Sequence, residues 1–166
     1  MIALMLTLSL VMPAVYYDIT ERRIPNRLLA IFILIIPVTL FFTQGAEALP
    51  LHFAAAAVTL AATIIFWAIG WLGAGDAKLL TLVAMVAGWP LVPALLINTA
   101  LCGLVLALVA ILLKGSLRQA GQRLYAAVRG ASATDMAEET PQAKLPYAVA
   151  IAAGAVLTVT GVSPLP

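Results

Sequence analysis

Two aspartates stand at the edges of apolar segments in a sequence with only seven Asp and Glu residues. Asp18 ends the first apolar segment, and Asp76 begins a later one. Two carboxylates a few Å apart cannot both ionise cheaply, so one pKa rises and the pair holds one proton. The ionised member can take a proton from water, and the protonated member can donate to a carbonyl oxygen. Such a pair could hydrolyse a peptide bond.

Each aspartate taken alone also has an ordinary structural explanation. Asp76 precedes an apolar run as a helix N-cap does, and Asp18 could be a solvated residue that ends a helix. Three features favour chemistry. A carboxylate near a helix C-terminus opposes the helix dipole. The apolar run after Asp76 is too short for a hydrocarbon core of about 30 Å. Either the residues from Pro90 onward complete the span, or the carboxylate is drawn into the membrane, where ionisable groups mark function. Gly73 and Gly75 leave room beside Asp76.

The composition excludes a water-soluble domain. Hydrophobic residues make up 64% of the 166 residues and charged residues 10%, whereas soluble domains hold about 25% charged residues. The chain is therefore predicted to be an integral membrane protein. The single cysteine, Cys102, and the single histidine, His52, exclude a disulfide framework and a Cys- or His-rich metal site. We expect no metal, no cofactor and no nucleic-acid partner.

Apolar segments predict an all-α, polytopic fold in which residues 1–166 form a single membrane domain. The six predicted transmembrane helices cover 2–17, 28–43, 51–72, 76–92, 94–113 and 146–163. All nine Lys and Arg residues lie at alternate connections, and positively charged loops stay cytoplasmic. Both termini are therefore predicted outside, and Asp18 and Asp76 at the cytoplasmic boundary. His52, at the outer edge of the third segment, is expected to be solvated.

The one long polar segment, 114–144, lies between the fifth and sixth predicted helices. Leu117, Leu124 and Val128 recur at helical spacing among basic residues. This pattern predicts a cytoplasmic amphipathic helix on the inner leaflet. Small and polar residues follow and are typical of a flexible linker.

The motifs around both aspartates resemble one family. Residues 73–78, GAGDAK, match the G-x-G-D-x-K form of the G-x-G-D intramembrane aspartyl proteases that is typical of type IV prepilin peptidases. Residues 18–26, DITERRIPN, match the other half of that signature, and residues 144–154 resemble the last helix of the family.

The resemblance implies Asp18 and Asp76 as the catalytic pair and the two motif glycines as the loop that holds Asp76. It also carries over Pro25 and Asn26. From the residues alone, Pro25 would stop the first helix and Asn26 would cap the second. Lys78 would anchor the topology or tune the pair.

The resemblance further implies the substrate and the location. Prepilin peptidases cut the basic leader from an apolar helix at the cytoplasmic face of the bacterial inner membrane. Long forms carry a module with paired Cys-x-x-Cys motifs and also methylate the new N-terminus. With one cysteine, this chain resembles the short peptidases of Flp pili, the tight-adherence (Tad) system, and no methyltransferase activity is expected. The expected partners are prepilins, the lipid bilayer and the pilus assembly machinery.

Three alternatives stay open at this level. An ion-coupled small transporter could use the two carboxylates together with polar residues inside the bilayer. Its candidate residues are Thr59, Thr63, Thr81, Asn98 and Thr99. A structural subunit of an assembly complex would use the aspartates only as helix caps. An archaeal preflagellin peptidase would share the chemistry but not the substrate.

Overall fold

The fold is known from a computed structural model that describes residues 1–114 and 147–161. The described part of the chain is all-helical. Its α-helices are α1 (Ile2–Thr20), α2 (Asn26–Gln44), α3 (Leu49–Ala68), α4 (Ala74–Ala87), α5 (Val92–Lys114) and α6 (Tyr147–Val159). Short 3-10 turns, Ala46–Ala48 and Trp89–Leu91, join α2 to α3 and α4 to α5. The amphipathic helix and linker predicted over 114–144 lie outside the described residues, save for the last residue of α5.

Among the described residues, four helices are long and apolar enough to cross a membrane. They are α1, α2, α3 with its preceding 3-10 turn, and α5 with its preceding 3-10 turn, over Trp89–Ala110. This finding makes the chain a membrane protein. The helices α4 and α6 have 14 and 13 residues, or roughly 20 Å each at 1.5 Å per residue, which is less than a hydrocarbon core of about 30 Å. The count of six spans and their orientation therefore stay predictions.

The helix α3 ends earlier than the sequence predicted. The third segment was expected to reach residue 72, but α3 ends at Ala68. Gly70 has a φ of +78°, and the Trp71 backbone N–H bonds back to the Phe66 carbonyl oxygen over 2.9 Å. A left-handed glycine with such a backward bond is a common way to end a helix. The loop that follows leads directly to Gly73.

The helix α4 is the centre of the core. Eight of its 14 residues are buried, and it contacts α1, α2, α3 and α6. Leu79 and Val83 have no exposed surface, and Leu10 of α1 and Ile36 of α2 are equally buried in the same cluster. A helix that is buried on most sides has a fixed position, so groups at its two ends are held in place.

The helices α5 and α6 approach each other closely at a glycine. A Cβ atom on Gly154 would lie 2.6 Å from the Thr99 backbone, so only glycine allows this packing. Beside this contact the buried Asn98 side chain donates to the Thr158 hydroxyl over 2.9 Å. Thr158 in turn donates to the Gly154 carbonyl oxygen. These contacts fix α6 against α5.

The prediction that His52 is solvated is wrong. His52 is only 7% exposed, and its Nδ1 lies 2.7 Å from the Met85 carbonyl oxygen near the C-terminus of α4. Its Nε2 lies 3.2 Å from the Gln44 side-chain amide. The ring also packs on Gly88, where a Cβ would lie 3.1 Å from Cε1. A polar residue at the edge of an apolar segment is here a buried contact between α2, α3 and α4.

Candidate active site

Asp18 lies in the last turn of α1 and contacts the first turn of α6. Its side chain is partly buried, and its Oδ2 accepts a hydrogen bond of 3.1 Å from the Ala148 backbone N–H. The first N–H groups of a helix have no partner within the helix, so Asp18 satisfies one of those of α6. The carboxylate opposes the dipole of its own helix but is favoured by the N-terminus of α6. Nothing in the sequence predicted the bond to Ala148.

Asp76 lies in the first turn of α4, but it is not the N-cap. The N-cap is Gly73, and Asp76, three residues later, accepts a hydrogen bond from the Gly73 backbone N–H. This is the backward contact that acidic residues make at the third helical position. A Cβ on Gly73 would lie 2.7 Å from Asp76 Oδ2. The interpretation of Asp76 as the N-cap of α4 is therefore wrong. A side chain larger than that of Gly73 would occupy the place of the Asp76 carboxylate.

The two aspartates interact electrostatically. The helices α1 and α4 are in contact, and Asp76 lies outside the four helices that are long enough to cross the membrane. Burial and then the negative charge of Asp18 raise the pKa of Asp76 to about 6, although the Gly73 hydrogen bond lowers it. A carboxyl group with this pKa can hold a proton close to neutral pH.

The turn before α2 packs onto the start of α4. Pro25, with an extended backbone, is the N-cap of α2 and makes no side-chain cap bond. Asn26 is the first residue of α2, and its Oδ1 accepts a hydrogen bond of 3.1 Å from Lys78 Nζ. The prediction that Asn26 caps α2 is therefore wrong. Ile24 is buried and lies against Gly75. No role was predicted for Ile24, because a search for polar groups does not find an apolar residue.

Three of the five polar residues that a transporter would use make hydrogen bonds within the bundle. Thr63 and Thr81 each donate to a carbonyl oxygen one turn back in their own helix. Asn98 donates to Thr158. The other two candidate hydroxyls are buried and find no hydrogen-bond partner among the described residues. Among those residues, no three His, Cys, Asp or Glu side chains lie close enough to hold a metal ion.

The fold and the site together define a class: an all-helical membrane protein with two interacting carboxyl groups at one end of its bundle. Residues 4–108 match the model of the type IV leader peptidase family, and this match covers more than half of the chain. The chain belongs to the type IV leader peptidase family, which makes it an aspartic-type protease. The family inferred from the two motifs is confirmed. Neither the comparison with curated proteins nor the comparison with solved structures finds a match.

Proposed function

We propose that this protein is a membrane aspartic endopeptidase that removes the basic leader of short, Flp-type prepilins at the cytoplasmic face of the bacterial inner membrane. Asp18 and Asp76 are its catalytic pair. The observation that carries the proposal is the raised pKa of Asp76 beside Asp18, because a pair with one proton supplies a base and an acid together. The two motif halves that hold these aspartates lie within the family match.

The chemistry of the pair follows from its protonation. The ionised carboxylate takes a proton from a water molecule, whose oxygen attacks the carbonyl carbon of the scissile bond. The protonated carboxyl donates to the carbonyl oxygen and stabilises its developing charge. When the tetrahedral intermediate collapses, the C–N bond breaks and the leaving nitrogen receives a proton. Water is the only co-reactant, and the products are the leader carboxylate and the new N-terminal amine.

The location of the pair suits a cut at the junction of a leader and an apolar helix. A helix hides its carbonyl groups in hydrogen bonds, so the scissile bond must be extended locally. Glycine at the cut favours this, because it destabilises a helix by roughly 1 kcal/mol relative to alanine. A six-span topology with both termini outside would place Asp18 and Asp76 at the cytoplasmic boundary, where the basic leader stays.

The direct experiment is co-expression with a short Flp-type prepilin and mass spectrometry of the mature pilin N-terminus. The proposal expects one new N-terminus with the wild-type chain and only the intact prepilin with Asp18→Asn or Asp76→Asn. Addition of EDTA to the purified enzyme should leave cleavage unchanged, because neither carboxyl needs a metal for the steps above. Cleavage that persists in either variant would refute the assignment of the pair.

A further inference from the structure

Two contacts join the loop after α1 to the start of α4. In the first, Ile24 packs on Gly75. Ile24 is 7% exposed and belongs to the hydrophobic core, and a Cβ on Gly75 would lie 3.4 Å from the Ile24 Cβ. Gly75 directly precedes Asp76, and Ile24 follows Asp18 by six residues. An apolar contact therefore connects the chain segments that carry the two carboxyl groups.

The second contact is the hydrogen bond from Lys78 Nζ to Asn26 Oδ1, 3.1 Å long. The two residues are 52 positions apart in the sequence, and both side chains are exposed. Asn26 does not spend its side-chain oxygen on capping α2, and Lys78 follows Asp76 by two residues. An exposed lysine loses side-chain entropy when it is held in one place, so this bond adds little to stability, and its importance lies in the two segments that it joins.

The loop after α1 is short, so these contacts also affect the position of Asp18. The helix α1 ends at Thr20, and Arg22 reverses the chain with a φ of +53°. Only five residues separate the end of α1 from Asn26. A loop this short transmits any displacement of Asn26 to the last turn of α1, where Asp18 lies.

We propose that Ile24, Asn26, Gly75 and Lys78 form a loop clamp that sets the separation of the Asp18 and Asp76 carboxyl groups. Asn26 and Lys78 are positioning residues of the proposed peptidase, and the inference rests on that proposed function. The clamp holds the loop after α1 on the first turns of α4. Without it, the end of α1 moves away from Asp76 and the pair no longer acts as one unit.

A double-mutant cycle tests the clamp on the full chain in detergent, with a purified short Flp-type prepilin as the substrate. Asn26→Ala removes the acceptor and Lys78→Met removes the donor. We expect each to lower kcat by about 10- to 100-fold with a smaller change in KM, since a displacement of about 1 Å of reacting groups can cost 100-fold. The double variant should be no worse than either single variant, because one bond is lost in all three. Lys78→Arg, which keeps a donor, should recover most of the activity.

The pH profile separates positioning from a direct effect of charge. Separation of the carboxyl groups weakens the repulsion that raises the pKa of Asp76, so the alkaline limb of kcat should move to lower pH in Asn26→Ala, which keeps the Lys78 charge. In Lys78→Met the lost positive charge favours the protonated form of Asp76 and opposes that shift, so Asn26→Ala gives the decisive profile. Arg27→Ala, an exposed neighbour of Asn26, serves as the matched control and should keep the wild-type profile.

Two results would overturn the clamp. One is wild-type kcat and pH profile in Asn26→Ala. The other is additive losses in the double variant. Either result, together with inactive Asp18→Asn and Asp76→Asn enzymes, would refute the clamp and leave the proposed peptidase intact. Thermal melting of each variant in detergent identifies losses of activity that come from unfolding, and an activity loss that only follows melting would also count against the clamp.

Discussion

The two ends of α4 both place a glycine beside a titratable side chain. The two side chains differ in their burial and in their partners. At the C-terminal end, His52 is buried, bonds to the Met85 carbonyl oxygen and fills the space beside Gly88. At the N-terminal end, Asp76 is partly exposed and lies near a second carboxyl group.

We propose that this difference separates a structural end from a reactive one. A buried polar group with partners stabilises a fold, and the His52 end is arranged in this way. Two carboxyl groups near each other destabilise it, since each disfavours the ionised form of the other. Carboxyl groups with a perturbed pKa are enriched at functional sites, which supports the proposed role of the pair.

The largest expected effect is at the reactive end. Asp18→Asn and Asp76→Asn keep the shape of each side chain but remove the acid and base functions. We expect cleavage to fall by at least about 100- to 10,000-fold, the contribution of general acid–base catalysis. Membrane insertion and the melting temperature should stay close to those of the wild type. A cleavage assay and a melting curve of each variant check both expectations. A variant that is inactive only because it unfolds at a lower temperature would contradict the assignment of this end as the reactive one.

A smaller effect is expected from a methyl group at Gly73. The Cβ of Gly73→Ala would lie 2.7 Å from Asp76 Oδ2, so the carboxyl group must rotate away from its place beside Asp18. We expect kcat to fall by about 10- to 100-fold with little loss of stability, because the end of a flexible side chain is what moves.

The matched control for this change is Gly103→Ala in α5. A Cβ there would lie 3.9 Å from the Ala150 Cβ, an ordinary contact, so activity and melting should both be preserved. Wild-type kcat in Gly73→Ala would show that the position of the Asp76 carboxyl group is not critical.

At the structural end, the expected effect is on stability rather than activity. His52→Ala leaves the Met85 carbonyl oxygen without this partner and opens space beside Gly88. The free energy of unfolding should fall by about 1–3 kcal/mol, the cost of a buried unsatisfied polar group. Thermal melting in detergent measures the loss, and cleavage below the melting range should continue. Abolished cleavage with an unchanged melting temperature would mean that this end also serves the reaction.

The sequence predicted the helices and the aspartates better than their contacts. Apolar segments place helices by composition alone. Charge at alternate connections predicts one membrane boundary for Asp18 and Asp76, and the structure has the two groups close enough to interact, while the boundary itself stays a prediction. Composition could not predict that α3 ends at Ala68, because that end depends on a left-handed glycine and a backward bond. In the sequence alone, a glycine in an apolar run is equally compatible with a helix that continues and with a helix that ends.

The missed contacts are all between residues far apart in the sequence. His52 looks solvated at the edge of its segment, and only the fold brings the Met85 carbonyl oxygen to it. Asn26 looks like a helix cap, and only the fold brings Lys78 within reach. The Ala148 N–H that bonds Asp18 is a backbone group, which no residue type reveals. Local patterns predict local structure, whereas partners across the bundle depend on packing.

The most direct test of the central claim is a titration of Asp76 by isotope-edited infrared spectroscopy of its carboxyl group, in the wild type and in Asp18→Asn. In the wild type we predict a pKa of Asp76 of about 6, raised by burial and by the Asp18 charge. When Asp18→Asn removes that charge, the pKa of Asp76 should fall, because its ionised form is no longer repelled. The same pKa in both proteins would contradict the claim that the two aspartates act as one pair.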